Sequence, residues 1–312
     1  MNFKKRIVFI LGPTASGKTK ISLELSRRYH AEIISADSMQ VYRGMDIGTD
    51  KISLSDRMDI RHHLIDIMEP YEEFSVFDFR RKALCCIDDI HKRGNLPLVV
   101  GGSGLYIKAL IHGLAPYPSQ SKKIREELKL RIKNEGLLSL YKHLNEIDPR
   151  TAKDIHPNDQ RRIIRSIEIY QQMHIPPSLL AHERKSLESL GYEYILIGLC
   201  RDRKNLYARV NERVDEMIAR GFIDEVKGLR GRLSLTTSQA VGYKEIAAYI
   251  DGEMPLKDAV DEIKKKSRNL VKKQLTWFRK DKRITWVELA KDESIINAVN
   301  KISSLLELWL EG

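Results

Sequence analysis

At 312 residues, with 54 Lys and Arg against 43 Asp and Glu and a formal charge of +11, the chain holds material for one large domain or two smaller ones, and its charge favours a polyanionic partner through counterion release. Three cysteines, Cys85, Cys86 and Cys200, with no C-x-x-C pair, exclude a disulfide scaffold and suit a reducing cytosol. The basic start "MNFKKRIVFILG" carries an apolar run too short for an export signal or a membrane span, so a cytoplasmic protein without membrane contact is expected.

Residues 6–11 (RIVFIL) read as a buried strand, and Thr19 to Arg28 as a helix carrying Ile21, Leu23 and Leu25. Between them Gly12, Gly17, Lys18 and Thr19 satisfy G-x-x-x-x-G-K-[ST] in the strand–loop–helix setting that a phosphate-binding loop requires. The stretch Gly12, Pro13, Thr14, Ala15, Ser16, Gly17, Lys18 and Thr19 offers backbone N–H groups and a helix N-terminus to anionic oxygens. Lys18 adds a point charge, and the Thr19 hydroxyl can ligand a Mg²⁺ shared with the phosphates. This pattern specifies a diphosphate or a triphosphate without specifying ATP.

"AEIIS" (31–35) reads as a second strand, followed at once by Asp37-Ser38. Asp37 has three readings: part of a metal shell, a general base, or the cap of the next turn. "MQVYRGMDIGTDK" then resembles a substrate-facing loop. His62 and His63 are adjacent, without metal-ligand spacing, and are assigned to a structured loop rather than to zinc. A helix over 75–94, stopped by Gly94, leads to the core strand "LPLVVGG" (96–102). That strand ends in Gly101-Gly102-Ser103-Gly104, either a tight turn or a place where a ligand approaches the backbone with Ser103 as a polar contact. It lacks the strand-end Asp that holds Mg²⁺ in nucleotide hydrolases, so the usual hydrolysis kit is incomplete.

The pattern changes around 115–120. From there to about 173 only helices are expected, separated by Gly136, Asp148-Pro149 and His156-Pro157. The chain therefore divides into a first part of an α/β core (1–118), a helical insertion (119–190) and the rest of the core with C-terminal helices (191–312). In "NDQRRIIRSIEIY", capped by Asn158 or Asp159, Arg161 and Arg165 share a helix face with Arg162 beside it: a phosphate-backbone surface or a solvated face. "EYILIGLC" (193–200) restores a buried strand. The next helix places Arg209 and Arg213 at i and i+4, as solvated pairs or as two guanidinium groups converging on a diphosphate. Helices over 238–250 and 257–280 close the expected elements. "KKKSRNLVKKQLTWFRKDKR" interleaves its basic residues with Trp277 and Phe278, which suits RNA or two core anchors. Strands alternating with helices predict an α/β fold, a parallel sheet of the phosphate-loop NTPase kind flanked by helices, with its site at strand C-termini and an all-helical insertion.

In order along the chain stand "GPTASGKT" (12–19), "DSMQVYRGMDIGTDK" (37–51), "HHLID" (62–66), "FSVFDFRR" (74–81), "VVGGSGLYIKALIHGL" (99–114), "HPNDQRRIIRSIEIY" (156–170), "GFIDEV" (221–226), "QAVGYKEI" (239–246) and "KKQLTWFR" (272–279). Together, over nearly the whole chain, they closely resemble the bacterial tRNA dimethylallyltransferases, or tRNA isopentenyltransferases. That resemblance implies transfer of the dimethylallyl group of dimethylallyl diphosphate to the exocyclic amine of the adenosine just 3′ of the anticodon, with diphosphate as leaving group. It implies Lys18, Thr19 through Mg²⁺, the backbone of 14–19 and Arg213 as stabilisers of the departing charge, and Asp37 as the acceptor of the amine proton. It also implies a flipped adenosine in a channel through the core, contacted by Asp37, Ser38, Met39, Gln40 and Ser103. The anticodon stem-loop would be met by Arg125 and the stretch Arg161, Arg162, Ile163, Ile164 and Arg165, with the enzyme acting as a monomer. Many relatives carry Thr where this chain has Ser103, and the hydroxyl is kept. Two rival enzyme readings are a small-molecule kinase with ATP in the loop and prenyl transfer to free adenine nucleotides; neither gives the basic insertion a role. An RNA-binding nucleotide switch would not need Asp37 and the glycine-rich strand end together.

Overall fold

The computed structural model describes residues 5–57 and 59–311, so most of the basic start, residues 1–4, lies outside the described residues. The apolar runs become strands β1 (Arg6–Leu11), β2 (Ala31–Ser35), β3 (His62–His63), β4 (Leu96–Gly101), β5 (Glu193–Cys200) and β6 (Thr285–Glu288). They form one sheet in the order β3-β2-β4-β1-β5-β6, with every pairing parallel. β1, β2 and β4 are almost wholly buried because helices cover both faces, which explains why they read as continuous apolar runs. The register pairs Ser35 with Val100 and Ile10 with Val100, so β2, β4 and β1 leave the sheet side by side at one level.

On one face, helix Lys18–Tyr29 and the C-terminal helix Ile295–Glu311 pack into a single apolar cluster with Val8, Ile10, Leu98 and Ile197. Helix Val76–Lys92 buries Phe79, Ala83, Ile87 and Ile90, and its start is fixed by a reciprocal capping pair between Ser75 and Asp78. No helix among the described residues is long and apolar enough to cross a membrane.

The chain separates into two compact units, one comprising residues up to Leu110 together with those from Gly191 onward, the other Ile111–Leu190. The second unit is all helical. Helices Lys122–Glu135, Leu137–Ile147 and Gln160–Met173 enclose Leu128, Leu140, Leu144, Ile155, Ile163 and Ile167. Asp148, with Pro149 at the first helical position, and Asp159 supply the caps at the breaks seen in the sequence.

Three expectations about elements need correction. The expected helices end at 280, but edge strand β6 and helix Ile295–Glu311 follow. His62 and His63 form a two-residue strand rather than a loop, paired with Ile33 and Ile34. The 238–250 stretch is not one helix: a short helix Leu235–Ser238 precedes helix Tyr243–Ile250, which begins after Gly242. Of the two readings left open for Trp277 and Phe278, Phe278, 2% exposed, takes that of a core anchor, whereas Trp277 remains 44% exposed.

Candidate active site

Three loops leave the adjacent C-terminal ends of β1, β4 and β2, and they carry the phosphate-loop, glycine-rich and Asp37 motifs. The loop after β1 starts at Gly12, with φ of 151° and its Cα so close to the Leu199 carbonyl that a Cβ would lie 2.6 Å from that oxygen. Only glycine fits there. Helix Lys18–Tyr29 opens on Gly17 in the left-handed region, with no side chain capping its first N–H groups. Those donors are left for an anion.

The loop carbonyls are tied back by cations. Lys18 Nζ donates to the Pro13 carbonyl at 2.6 Å, Arg209 Nε to Ala15 at 3.0 Å and Arg201 Nε to Ser16 at 3.2 Å. Arg213 donates to Thr14 Oγ1 and pairs with Asp50 at 3.3 Å, and Arg220 approaches the same carboxylate. Arg209 and Arg213 thus both face the phosphate loop. Nothing in the sequence marks Arg201 as a site residue, and Asp50 lies within the 37–51 motif without a role of its own there.

Gln274, inside "KKQLTWFR", is a further site residue that no sequence pattern marks. Its Oε1 accepts from Thr14 N–H at 2.9 Å while its Nε2 donates to the Gly102 carbonyl at 3.0 Å, so one amide joins the phosphate loop to the glycine-rich turn. Ser103 Oγ accepts from the Ser38 N–H at 3.1 Å and its N–H donates to the Ala36 carbonyl, joining that turn to the Asp37 loop.

Asp37 is half-buried. Its Oδ1 accepts from Met39 N–H at 2.8 Å and from Gln40 N–H at 3.4 Å, which is the turn-capping reading. The other carboxylate oxygen has no hydrogen-bond partner among the described residues and stays available to an incoming donor. The Gln40 side-chain amide donates to the carbonyls of Thr49 and Asp50.

Burial first, and the Arg213 cation second, pull the Lys18 ammonium down to about 8, against the upward pull of Asp37 and Asp50. The ligand-free amine is therefore half neutral near that pH, whereas a bound anion favours the charged form. Above about pH 8 an anion that binds here must take up a proton at Lys18, and its affinity falls as pH rises through that value. Calorimetry of inorganic pyrophosphate binding in buffers of different ionisation heat measures the proton count. The uptake above pH 8 should exceed that of Lys18→Met; equal uptake by both proteins would remove Lys18 from the anion site.

The Thr19 hydroxyl is exposed and has no hydrogen-bond partner among the described residues. No group of three or more His, Cys, Asp or Glu that could hold a metal occurs among those residues. This donor set fits a Mg²⁺ held mainly by substrate oxygens with one protein hydroxyl, and does not fit a cage built from protein side chains alone. His63 instead contacts Glu32 at 2.7 Å, where burial pushes the carboxylate upward but hydrogen bonds from Arg93, Asn95 and His63 hold it at about 2.

In the helical unit, Arg161 and Arg162 are exposed on the first turn of helix Gln160–Met173. Arg125 and Arg165 converge on Glu168, a fully buried carboxylate, at 3.1 Å and 2.8 Å. Ile163 and Ile164, expected among the RNA-contacting residues, need correction in one respect: both side chains are buried in this unit's core and are not on its surface.

An IPP transferase family model matches residues 40–281, and an isopentenyl transferase family model matches residues 5–65. The chain is 48% identical to tRNA dimethylallyltransferase 2 of Geotalea uraniireducens, over 91% of this chain and 93% of that one. It is 44% identical to the tRNA dimethylallyltransferase of Halalkalibacterium halodurans, over 97% and 98%. The crystal structure of a full-length tRNA isopentenylpyrophosphate transferase from Bacillus halodurans is similar with a TM-score of 0.71 at 43% identity, covering 97% of each chain. A eukaryotic dimethylallyltransferase captured acting on tRNA is similar with a TM-score of 0.81 at 26% identity, covering 97% of this chain and 80% of that one.

Proposed function

The chain belongs to the IPP transferase family, that of the tRNA dimethylallyltransferases, and on that footing we propose that it transfers the dimethylallyl group of dimethylallyl diphosphate to the exocyclic amine of the adenosine 3′-adjacent to the anticodon in tRNA. The observation that carries this reading is the shared sheet edge: Asp37 leaves β2 and the phosphate loop leaves β1, with the glycine-rich end of β4 between them. A proton acceptor and an anion cradle thus flank a glycine-rich turn on which Gln274 and Trp277 pack closely.

The diphosphate lies on the N–H groups of the phosphate loop beyond Thr14, whose own N–H is given to Gln274, with Lys18 and Arg213 facing the oxygens that gain charge as the carbon–oxygen bond breaks. The leaving diphosphate takes that electron pair. The adenine amine is a poor nucleophile because its lone pair is delocalised into the ring. Asp37 accepts one of its protons through the free carboxylate oxygen while the new nitrogen–carbon bond forms. Thr19 would hold a Mg²⁺, which when bound would neutralise charge on the departing diphosphate. The adenosine is flipped out of its stack to reach this edge, contacted by residues 37–40 and Ser103. Arg125, Arg161, Arg162 and Arg165 belong to the RNA surface of the helical unit, with Arg161 and Arg162 meeting phosphates directly. The enzyme works as a cytoplasmic monomer.

Two measurements test this. The purified protein with Mg²⁺ and unmodified tRNA is supplied with dimethylallyl diphosphate or with ATP, and the digested nucleosides are weighed by mass spectrometry. A dimethylallyl gain on adenosine in the first tube alone is expected; ATP consumption without that gain would return the loop to a kinase or a switch. For the RNA surface, Arg161→Ala should weaken tRNA binding and reduce the slope of log K against log salt by about one. An unchanged slope would place the RNA elsewhere.

A further inference from the structure

The motifs "GFIDEV" and "QAVGYKEI" take no part in the chemistry above, yet they meet at one carboxylate. Glu225, in helix Phe222–Leu229, accepts from three successive backbone N–H groups, those of Asp46 at 2.9 Å, Ile47 at 2.6 Å and Gly48 at 3.1 Å. It also accepts from the hydroxyl of Tyr243, at 2.6 Å, on a side chain 1% exposed. Three aligned amides form an anion nest, and here the anion comes from the protein itself. The fit is tight on the apolar side too: a Cβ on Gly48 would stand 2.3 Å from the Phe222 ring and 2.6 Å from the Tyr243 ring.

The segment so held leads to the site. Thr49 and Asp50, the next two residues, present the carbonyls to which Gln40 donates, and Asp50 carries the carboxylate that pairs with Arg213. On the other side of the segment the buried Lys51 ammonium donates to the Tyr42 carbonyl, Asp46 and Asp66, each at 2.6 Å. Loop 42–51 is thus fixed by an internal cation beneath and by the Glu225 carboxylate alongside.

We propose that Glu225, backed by Tyr243, is a positioning residue: it latches the 46–48 amides so that Asp50 aims Arg213 at the phosphate loop and Gln40 holds the Asp37 turn. This rests on the transfer reaction proposed above, and it adds a latch lying outside the phosphate loop and its partners. Charge-assisted bonds to backbone N–H groups are strong and directional, which suits the setting of a loop to a fraction of an ångström.

The test compares wild-type protein with Glu225→Gln and Tyr243→Phe. Glu225→Gln keeps size but turns one acceptor into a donor facing N–H groups. Its kcat/KM for dimethylallyl diphosphate should fall about a hundredfold, the scale of a misplaced reacting geometry. The loss should lie mainly in kcat, with tRNA affinity unchanged and hydrogen exchange faster at Ile47 and Gly48. Tyr243→Phe, which leaves the carboxylate on its amides, should show a smaller loss in the same direction. Wild-type kinetics in Glu225→Gln would overturn the proposal. So would losses in both variants that follow a fallen melting temperature, with exchange rising across the whole sheet. An inactive wild-type protein would instead overturn the reaction, while exchange at Ile47 and Gly48 would still report on the latch.

Discussion

Asp37→Asn lowers kcat for dimethylallyl transfer by about a thousandfold, within the range of a lost general base, and leaves tRNA affinity intact. Asparagine is the informative substitution because Asp37 does two things with two oxygens. One accepts from the Met39 and Gln40 N–H groups, and an asparagine carbonyl accepts from them equally well. The other is the open oxygen proposed to take the amine proton, and there the amide offers a donor where an acceptor is needed. The turn survives and the base does not. Alanine would remove both and confound them. Single-turnover transfer with a labelled allylic group, beside tRNA binding by filter retention, separates the outcomes. A fully active Asp37→Asn would reduce Asp37 to a cap.

Arg213→Ala lowers kcat/KM for dimethylallyl diphosphate by roughly a hundred- to a thousandfold, the loss expected when one charged donor to a developing anion is removed. Its guanidinium reaches Thr14 Oγ1 with one nitrogen and Asp50 with another, so the group is held at both ends over the loop. Arg213→Lys should recover little, because a single ammonium cannot serve the loop and the carboxylate in that fork geometry. Pyrophosphate binding by calorimetry is the companion measurement. Weaker product binding together with slower transfer assigns Arg213 to the leaving group. Unchanged pyrophosphate affinity would confine Arg213 to the Asp50 pair.

The parts of this site that repeat or alternate were legible in the sequence. β1, β4 and β5 are dense apolar runs because the sheet is covered on both sides, and the phosphate loop has fixed spacing because its backbone must wrap an anion. Asp37 was visible from its place after a core strand, but the split of work between its oxygens depends on geometry that no spacing encodes. Gln274 and Glu225 were hidden for one reason: each acts on backbone groups 172 to 260 residues away, and such contacts leave no periodic trace. β6 gives a weak signal, since only Val287 of its four residues is buried. Helix Ile295–Glu311 differs, because Ala298, Val299, Ile302 and Leu306 mark a buried face at helical spacing. On the helical insertion, Arg125 and Arg165 read like Arg161 and Arg162, and only the buried Glu168 separates the two arginines paired within the unit from the two that are exposed.

The tied-back phosphate loop has a consequence at the end of the cycle. With the Pro13, Ala15 and Ser16 carbonyls already held by Lys18, Arg209 and Arg201, little ordering remains when an anion arrives. The same preformed shape greets free pyrophosphate as readily as the pyrophosphate half of the donor. If the loop holds the diphosphate as proposed, inhibition by pyrophosphate is the expected consequence, and its escape, rather than bond-making, would time turnover. Enzymatic removal of pyrophosphate would then act on this protein as an accelerator without touching it.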